Sequence, residues 1–455
     1  MSAVARTRTA YFCADCGNET ARWQGQCPAC EAWNTLVEEP RGARAEAAVP
    51  HAGAAAAVPV RLEEVAGAET ERWLTGLDEF DFVLGGGLVP GSLVLVGGEP
   101  GIGKSTLLLQ VAARLETLGR STLYVSGEES AAQTRLRADR LSESAGRVTF
   151  LAETSLEAIL ARTAALQPAV LFVDSIQTVR TEALEGAPGS VGQVRECAAH
   201  LQREAKESGT AIFLVGHVTK GGMVAGPKTL EHIVDTVLYF EGAALDHRVL
   251  RASKNRFGAA DELGVFRMGQ GGLEAVANPS ELFLRERGTG ASGSAVVATI
   301  EGTRPLLVEV QALCSKASYG AAQRVANGFD RQRLTLLLAV LERRAGIAFG
   351  ELDVFLNVAG GVRLADPAAD LAVAAALGSA VFDRALPRDA VFLGEIGLGG
   401  EVRAVSQAER RVAEAARMGF ATAYLPTRSV PAAPPDGIAL QALPDLAALS
   451  RAVWQ

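Results

Sequence analysis

A glycine-rich loop that ends in a lysine and a serine carries the clearest chemical signal in the sequence. Residues 98–105 read GEPGIGKS and match the phosphate-binding pattern G-x-x-x-x-G-K-[ST] in full. Glycines in this pattern let backbone N–H groups surround phosphate oxygens at a helix N-terminus. The lysine reaches the β- and γ-phosphates, and the serine hydroxyl binds Mg²⁺. We therefore expect a nucleoside triphosphate and Mg²⁺ to be held by Gly98, Glu99, Pro100, Gly101, Ile102, Gly103, Lys104, Ser105 and Thr106.

The segments on either side of this loop have the patterns that a phosphate loop requires. Leu93–Val96 are four consecutive large apolar residues, typical of a fully buried strand, and the apolar spacing after the loop is helical until Gly119. The alternative interpretation is a glycine-rich turn that contains a lysine by chance. Such a turn would not need a buried strand before it and a helix after it. A dinucleotide-binding fold is disfavoured because no G-x-G-x-x-G opens the helix.

Polar residues at the ends of two predicted strands add candidate catalytic groups to Lys104. Asp174 ends an apolar strand in the Walker B manner, and its carboxylate can complete the Mg²⁺ shell beside Ser105. Glu128 follows another strand and could polarise the water that attacks the γ-phosphate, although a solvated acidic loop explains it equally well. His217, in a later polar loop, could sense the γ-phosphate or contact a polymer, although a loop histidine without a function explains it equally well.

The region after the loop alternates apolar strands with helical stretches. The predicted strands are Thr122–Val125, Val148–Leu151, Val170–Val173 and Ala211–Val215. One helix is predicted over Val191–Ser208, and another is expected to open with a capping box of Thr154 and Glu157. This alternation predicts an α/β fold with a mostly parallel sheet covered by helices.

Four of the six cysteines form two C-x-x-C pairs near the N-terminus. Two such pairs can supply four thiolates to a closed, structural zinc site, and a reducing cytosol favours zinc over disulfides. The expected ligands are Cys13, Cys16, Cys27 and Cys30. Trp23 and Trp33 are expected to pack on the small zinc core, with base stacking or partner binding as the alternative. The alanine- and proline-rich text that follows predicts a linker.

The overall composition excludes several classes of protein. The chain has 455 residues, 48% of them hydrophobic, and a net charge of −8, so it is a globular protein of about three domains that is not basic overall. No apolar run is long enough for a membrane helix and the N-terminus has no apolar core, which predicts a cytoplasmic protein without membrane contact. Any nucleic-acid contact must therefore come from local basic patches.

Positive charge is concentrated in the segment 247–257, which reads HRVLRASKNRF. It includes Arg248, Arg251, Lys254 and Arg256 in a predicted strand. An exposed strand face and a phosphate-contacting element explain this density equally well.

Over essentially its whole length the chain resembles the RadA (Sms) family of bacterial DNA-repair ATPases, which are related to RecA. The motifs occur in the family's order: the two C-x-x-C pairs, the lead-in Thr75–Gly91, GEPGIGKST, a strand ending VDS, and the KNRFG motif, formed here by Lys254, Asn255, Arg256, Phe257 and Gly258. The resemblance implies a C4 zinc finger (1–38), a linker (39–60), a RecA-like ATPase domain (61–277) and an α/β domain like that of Lon protease (278–455).

The resemblance also assigns functions to individual residues. Lys104 and Ser105 would be the Walker A contacts to ATP, Asp174 the Walker B carboxylate, and Glu128 the glutamate that activates water. Lys254 and Arg256 would reach the neighbouring subunit's nucleotide or the DNA, which implies a ring, expected to be a hexamer. The implied function is a DNA-dependent ATPase that processes branched recombination intermediates by moving on single-stranded DNA, together with RecA recombinase.

The Lon-like domain lacks the protease's catalytic pair. Lon has a serine nucleophile in Pro-Ser-Ala-Gly, where this chain has Ala368, and the Lon lysine falls near Glu409. We therefore expect a scaffold for ring assembly and DNA contact. Its candidate DNA contacts are Lys316, Arg324, Arg331 and Arg333, although a solvated basic face explains them at least as well.

Two other functions compete with DNA repair. One is an ATP-dependent Lon-type protease, which the alanine at position 368 disfavours. The other is a nucleotide switch like KaiC that binds protein partners, which the zinc pairs and the KNRFG motif disfavour.

Overall fold

A computed structural model describes residues 9–13, 18–29, 31–40, 72–141, 143–217, 230–242, 247–285, 287–288, 290–317 and 322–454. The chain forms two compact units, one extending to Gly242 and including His247–Ala275, the other beginning at Val276. The division into four domains stays a prediction, and most of the predicted linker lies outside the described residues. None of the described helices is both long and apolar enough to cross a membrane.

The N-terminal segment of the first unit forms a small antiparallel sheet. In its described part the sheet has three strands, ordered β2-β1-β3, which are β1 (Thr9–Cys13), β2 (Glu19–Thr20) and β3 (Leu36–Pro40). Cys13, Cys27 and Leu36 are buried together beneath it. This core is small, so the predicted zinc ligands would have to supply much of its stability.

A large sheet dominates the first unit. Its described strands are β4 (Leu93–Gly98), β5 (Thr122–Ser126), β6 (Thr149–Ala152), β7 (Val170–Asp174), β8 (Ala211–His217), β9 (Thr236–Gly242), β10 (His247–Asn255), β11 (Leu263–Gly269) and β12 (Gly272–Ala275). Their order is β12-β11-β10-β9-β4-β8-β7-β5-β6. Six neighbouring strands run parallel: β9, β4, β8, β7, β5 and β6. Beyond β9, the strands β10, β11 and β12 extend the sheet with antiparallel pairing.

Helices cover both faces of this sheet, and the predicted α/β fold is confirmed. The described helices of the unit are α1 (Asp78–Val83), α2 (Lys104–Thr117), α3 (Ala131–Leu141), α4 (Leu156–Leu166) and α5 (Val191–Ser208). Val94 and Val96 pack into the core that contains α2, whereas Leu93 and Leu95 pack into the core that contains α5. Burial on both faces explains why this strand reads as a continuous apolar run.

The predicted elements of the ATPase region match closely, with one error in a helix cap. The helix Val191–Ser208 has the predicted bounds, but α4 does not begin with a capping box of Thr154 and Glu157. Ser155 is the N-cap instead, since its hydroxyl oxygen accepts the backbone N–H of Ala158 at 3.4 Å. Glu157 accepts a hydrogen bond from the Thr181 hydroxyl at 2.6 Å and does not cap the helix.

The second unit is built on another mixed sheet. Its described strands, in spatial order, are β15 (Arg324–Asn327), β16 (Leu352–Val358), β14 (Arg304–Lys316), β13 (Ser294–Glu301), β17 (Ala390–Phe392), β20 (Thr422–Pro426) and β21 (Ala439–Leu443), with a separate hairpin of β18 (Glu395–Ile396) and β19 (Val402–Arg403). The described helices are α6 (Pro279–Leu284), α7 (Arg331–Val340), α8 (Asp370–Phe382), α9 (Ala408–Arg417) and α10 (Leu446–Leu449).

Two of the four predicted DNA contacts in this unit point inward. The Arg324 guanidinium donates to the backbone carbonyls of Phe349 and Leu352. Arg333 forms a two-point ion pair with Asp370, whose side chain is almost fully buried. Lys316 and Arg331 are exposed. Arg324 and Arg333 therefore have structural contacts that basic composition alone could not reveal.

Replacing Arg333 by methionine should destabilise the second unit by about 3 kcal/mol, because the buried Asp370 carboxylate would lose its cation. Urea unfolding of the whole protein measures the effect. Arg331→Met is the matched control, since this arginine is exposed on the same helix and its loss should cost under about 0.5 kcal/mol. Equal effects of the two substitutions would contradict the structural role of Arg333.

Candidate nucleotide site

The predicted phosphate loop connects the end of β4 to the start of α2. Gly98, Gly101 and Gly103 have positive φ angles of 153°, 77° and 115°, which side chains disfavour. A Cβ atom at Gly98 would lie 2.4 Å from the backbone oxygen of Phe240. The glycines therefore permit both the curvature of the loop and its close contact with the neighbouring strand β9.

Lys104 is buried at the start of α2, and its ammonium lies inside the loop. Its Nζ donates to the backbone oxygens of Gly98 at 2.8 Å and Glu99 at 3.0 Å. Burial lowers the pKa of Lys104, whereas the negative charges of Asp174 and Glu128 oppose this shift. The structure thus brings three predicted catalytic residues, from three separate strand ends, within electrostatic reach of one another.

Asp174 is the last residue of β7, and one of its carboxylate oxygens accepts a hydrogen bond from a buried side chain. The buried Tyr124 hydroxyl, from β5, donates to Asp174 Oδ2 at 2.7 Å. Burial and the neighbouring Asp174 charge raise the pKa of Tyr124 well above its usual value, so the hydroxyl remains a donor. Among the described residues, Asp174 Oδ1 accepts no hydrogen bond. A carboxylate held this way, together with the Ser105 hydroxyl, fits the oxygen ligands of Mg²⁺.

The structure distinguishes the two adjacent glutamates after β5. Glu128 Oε1 accepts a hydrogen bond from the Ser175 hydroxyl at 2.6 Å and lies 3.3 Å from His217 Nε2. Glu129 instead forms an ion pair with Arg137 on α3. Glu128 is therefore the carboxylate that faces the edge of the sheet shared by the loop and Asp174.

The environment of Glu128 keeps its carboxylate ionised. Hydrogen bonds from His217, first, and from Ser175 lower the pKa of Glu128 to about 2, although burial opposes them. Such a carboxylate is a weak proton acceptor near neutral pH. It can still orient and polarise a water molecule by accepting its hydrogen bond, which is the contribution that this geometry supports.

The KNRFG motif and the phosphate loop lie at opposite ends of the strands of the sheet. Thr236 pairs with Val94 near the start of β4 on one side and with Asn255 on the other. Gly98 is four residues further along β4, which corresponds to about 13 Å. Lys254 and Arg256 therefore lie far from the phosphate loop of their own chain.

Another arginine of the basic segment lies beside the loop itself. Arg248, at the other end of β10, donates from Nε to the backbone oxygen of Ile102 at 3.3 Å. The sequence set Lys254 and Arg256 apart through the KNRFG motif, but it could not place Arg248 beside the loop. Nor could it identify Tyr124 or Ser175, because their partners lie far away in the chain.

The predicted zinc site is described only in part. Cys16 and Cys30 lie outside the described residues, and the described residues alone contain no cluster of three or more metal-binding side chains. Cys13 and Cys27 are both buried, and each donates its backbone N–H five residues ahead, to Asn18 and Ala32 respectively. Two thiols buried together at tight turns fit half of a four-thiolate zinc site. Zinc ligation stays a prediction.

The expectation that the two tryptophans pack on the zinc core is wrong. Trp23 and Trp33 are 57% and 67% exposed. The core beneath the ribbon contains Cys13, Cys27 and Leu36, with Tyr11 packed against it. This core is too small to cover two indole rings.

Replacing Tyr124 by phenylalanine should weaken the Mg²⁺ affinity of the nucleotide-bound protein roughly tenfold, because Asp174 loses the hydroxyl that orients it. Titration of Mg²⁺ against a bound fluorescent nucleotide measures the effect. Tyr239→Phe is the matched control, since its hydroxyl donates to a different carboxylate, Glu231, at 2.9 Å. Equal Mg²⁺ affinities for both variants would contradict the proposed orientation of Asp174.

Replacing Glu128 by glutamine should lower the hydrolysis rate by about a hundredfold or more while leaving nucleotide affinity nearly unchanged. Glu129→Gln, the adjacent control, should change the rate by less than about threefold because Glu129 faces Arg137. Since the pKa of Glu128 is about 2, protonation of Glu128 should cause no loss of rate from about pH 5 to about pH 9. Steady-state rates of the wild-type protein and of both variants across this range provide the measurement.

Two family models match segments of the chain. Residues 62–223 match a family model described as an AAA domain, and residues 11–38 match one described as a rubredoxin metal binding domain. A solved KaiC-like protein from Pyrococcus horikoshii is also similar, with a TM-score of 0.39 and 21% identity, covering 46% of this chain and 99% of that one.

Two curated relatives match almost the whole chain. The DNA repair protein RadA of Halalkalibacterium halodurans is 50% identical over 430 residues, which is 94% of each chain. The DNA repair protein RadA of Bacillus subtilis is 50% identical over 431 residues, again 94% of each chain. The predicted resemblance is thereby confirmed, and the chain belongs to the RadA family of DNA repair proteins.

Proposed function

We propose that this protein is a DNA-dependent ATPase of recombinational repair that works as a ring. It would process branched recombination intermediates by moving along single-stranded DNA, together with RecA recombinase. The observation that carries the proposal is the convergence of Lys104, Asp174 and Glu128 at one edge of the sheet, around a loop that fits phosphates. The names of the relatives supply the connection to DNA repair.

Each residue at this edge would have its own role in the hydrolysis of ATP. Lys104 would leave the carbonyls of Gly98 and Glu99 and neutralise the β- and γ-phosphates. Ser105 and Asp174 would hold Mg²⁺, which neutralises charge on the phosphates when bound. Glu128 would accept a hydrogen bond from the water that attacks the γ-phosphate. Ser175 and His217 would keep that carboxylate in place.

The position of the KNRFG motif supports a nucleotide site shared between subunits. Lys254 and Arg256 lie about 13 Å along the sheet from their own phosphate loop and cannot complete it. In a closed ring with head-to-tail contacts, one edge of each sheet can face the opposite edge of the next. A cation from the motif would then stabilise the negative charge that develops on the neighbour's nucleotide. We propose a hexamer on this basis.

A basic depression in the second unit is the best-supported DNA contact. Arg285, Arg287 and Arg388 line a cavity of about 500 Å³ with an apolar floor that includes Phe420. Arg287 is fixed, because its Nη1 donates to the backbone oxygen of Arg388 at 2.6 Å. Glu281 and Asp389 also line the cavity, so the net excess is one positive charge. Phosphates of DNA suit fixed guanidinium groups of this kind.

Neither competing function is supported by a specific contact. At position 368, where Lon has its serine, the alanine is almost fully buried, and Glu409 is exposed on α9. A protease would need another nucleophile, and loss of labelled casein in the presence of ATP would reveal one. A KaiC-like switch would leave the three-arginine cavity and the KNRFG motif without a function.

The test is hydrolysis of ATP by the full chain with and without single-stranded DNA. We expect DNA to accelerate hydrolysis at least severalfold, and the acceleration to weaken with salt, because the added cations compete with the protein's basic side chains for the DNA phosphates. Lys104→Ala should abolish hydrolysis in both conditions, because Lys104 is the cation held inside the phosphate loop. A wild-type rate that ignores single-stranded DNA would overturn the proposal and favour the nucleotide switch.

A further inference from the structure

All five residues of the KNRFG motif are held by contacts within their own chain. Lys254 Nζ donates to the backbone oxygens of Glu231 and Val234. The Asn255 side chain accepts from Thr236 at 3.2 Å and donates to the Leu84 carbonyl at 3.1 Å.

The last two residues of the motif dock against other segments of the first unit. Arg72 donates to the Phe257 carbonyl. A Cβ atom at Gly258 would lie 2.9 Å from the Cα atom of Gly85. The motif is therefore a rigid turn and not a flexible basic loop.

A single buried carboxylate, Asp235, connects this turn to the centre of the sheet. Its side chain is 2% exposed. One oxygen, Oδ2, accepts the backbone N–H of Leu93 at 3.0 Å and the Lys206 ammonium at 2.8 Å. The other oxygen, Oδ1, accepts the Arg256 guanidinium at 3.2 Å. The backbone oxygen of Asp235 also accepts the N–H of Arg256 at 3.1 Å.

The two basic residues of the motif differ in how free they are. The Lys254 ammonium donates hydrogen bonds to two backbone carbonyl groups. Burial, and secondly the nearby charge of Arg256, lower the pKa of Lys254. Arg256 is 52% exposed and uses Nη1 for Asp235. A guanidinium has five N–H donors, so several of them remain for a ligand outside the chain. Arg256 is the cation that this turn presents to its surroundings.

We propose that Asp235 is a positioning residue that holds Arg256 in the orientation in which it completes the nucleotide site of a neighbouring subunit. This inference rests on the proposed sharing of nucleotide sites. Asp235 anchors the guanidinium to the start of β4 through Leu93, so the orientation of Arg256 is tied to the rigid centre of the sheet. Lys206, whose ammonium lies 5.7 Å from the centre of the Phe257 ring, pairs with the same carboxylate and packs against the turn. A pre-oriented cation loses little freedom when it meets a phosphate.

A double-mutant cycle on DNA-stimulated hydrolysis tests the inference. We expect Arg256→Ala to lower kcat on the order of a thousandfold, as for an arginine that acts across a subunit interface. Asp235→Asn should lower kcat roughly tenfold to a hundredfold with little change in KM, because the guanidinium is misplaced and not removed. In the Arg256→Ala background, Asp235→Asn should have no further effect, since its action passes through Arg256.

The matched control is Asp81→Asn. Asp81 is another buried carboxylate of the same unit, but both of its oxygens accept the single backbone N–H of Thr75, and it pairs with no cation among the described residues. Any loss of kcat that it causes should be the same in the wild-type and Arg256→Ala backgrounds. Additive effects of Asp235→Asn and Arg256→Ala would overturn the inference while leaving the shared site intact. If Arg256→Ala hydrolyses ATP at the full rate, the shared site itself is wrong.

Arg256→Lys gives an independent test that does not disturb Asp235. A lysine keeps the charge but cannot bond Asp235 with one group while it presents others outward. We expect kcat to fall at least about fivefold with KM nearly unchanged. A fully active Arg256→Lys protein would show that charge alone suffices and would contradict the positioning role of Asp235.

Discussion

The buried strand β4 is the constraint on which the first unit depends. Its residues alternate between two apolar cores, Val94 and Val96 on one side and Leu93 and Leu95 on the other, and its backbone pairs with β8 and β9. A strand held on both faces and both edges cannot shift register without exposing apolar side chains. Both of its ends are used: Gly98 opens the phosphate loop, and the Leu93 N–H is bound by Asp235.

Two clusters of opposite charges are buried within the first unit. Lys104 is balanced by Asp174 and Glu128 at one edge of the sheet, and Asp235 is balanced by Lys206 and Arg256 at the other. An unpaired charge in either position would cost several kcal/mol. Each cluster therefore contributes to stability and also orients groups for a ligand. The effect of a substitution on folding must be measured separately from its effect on turnover.

The second unit uses its basic residues in two ways. Arg333 pairs with Asp370, and the buried Arg411 contacts Asp366 at 2.6 Å, so these cations hold strands and helices together. Arg285, Arg287 and Arg388 instead line an open cavity. Ala368 lies in the turn before α8 without a hydroxyl. This distribution of basic residues suits a domain that has a structural function and also contacts a polyanion. The residues expected of a Lon-type peptidase are replaced.

Features that depend on contiguous residues could be predicted from the sequence. The phosphate loop, the strand ending in Asp174 and the spacing of the cysteines are each contained in a few neighbouring positions, where local backbone geometry and side-chain chemistry suffice. The tertiary structure was needed wherever partners are distant in the chain. Tyr124 meets Asp174 across 50 residues, Ser175 meets Glu128 across 47, and Arg256 meets Asp235 across 21. Packing contacts also decide which of two adjacent glutamates faces the phosphate loop and which of the four basic side chains Lys316, Arg324, Arg331 and Arg333 are exposed. Residue type limits what a side chain can bind but does not determine what lies beside it.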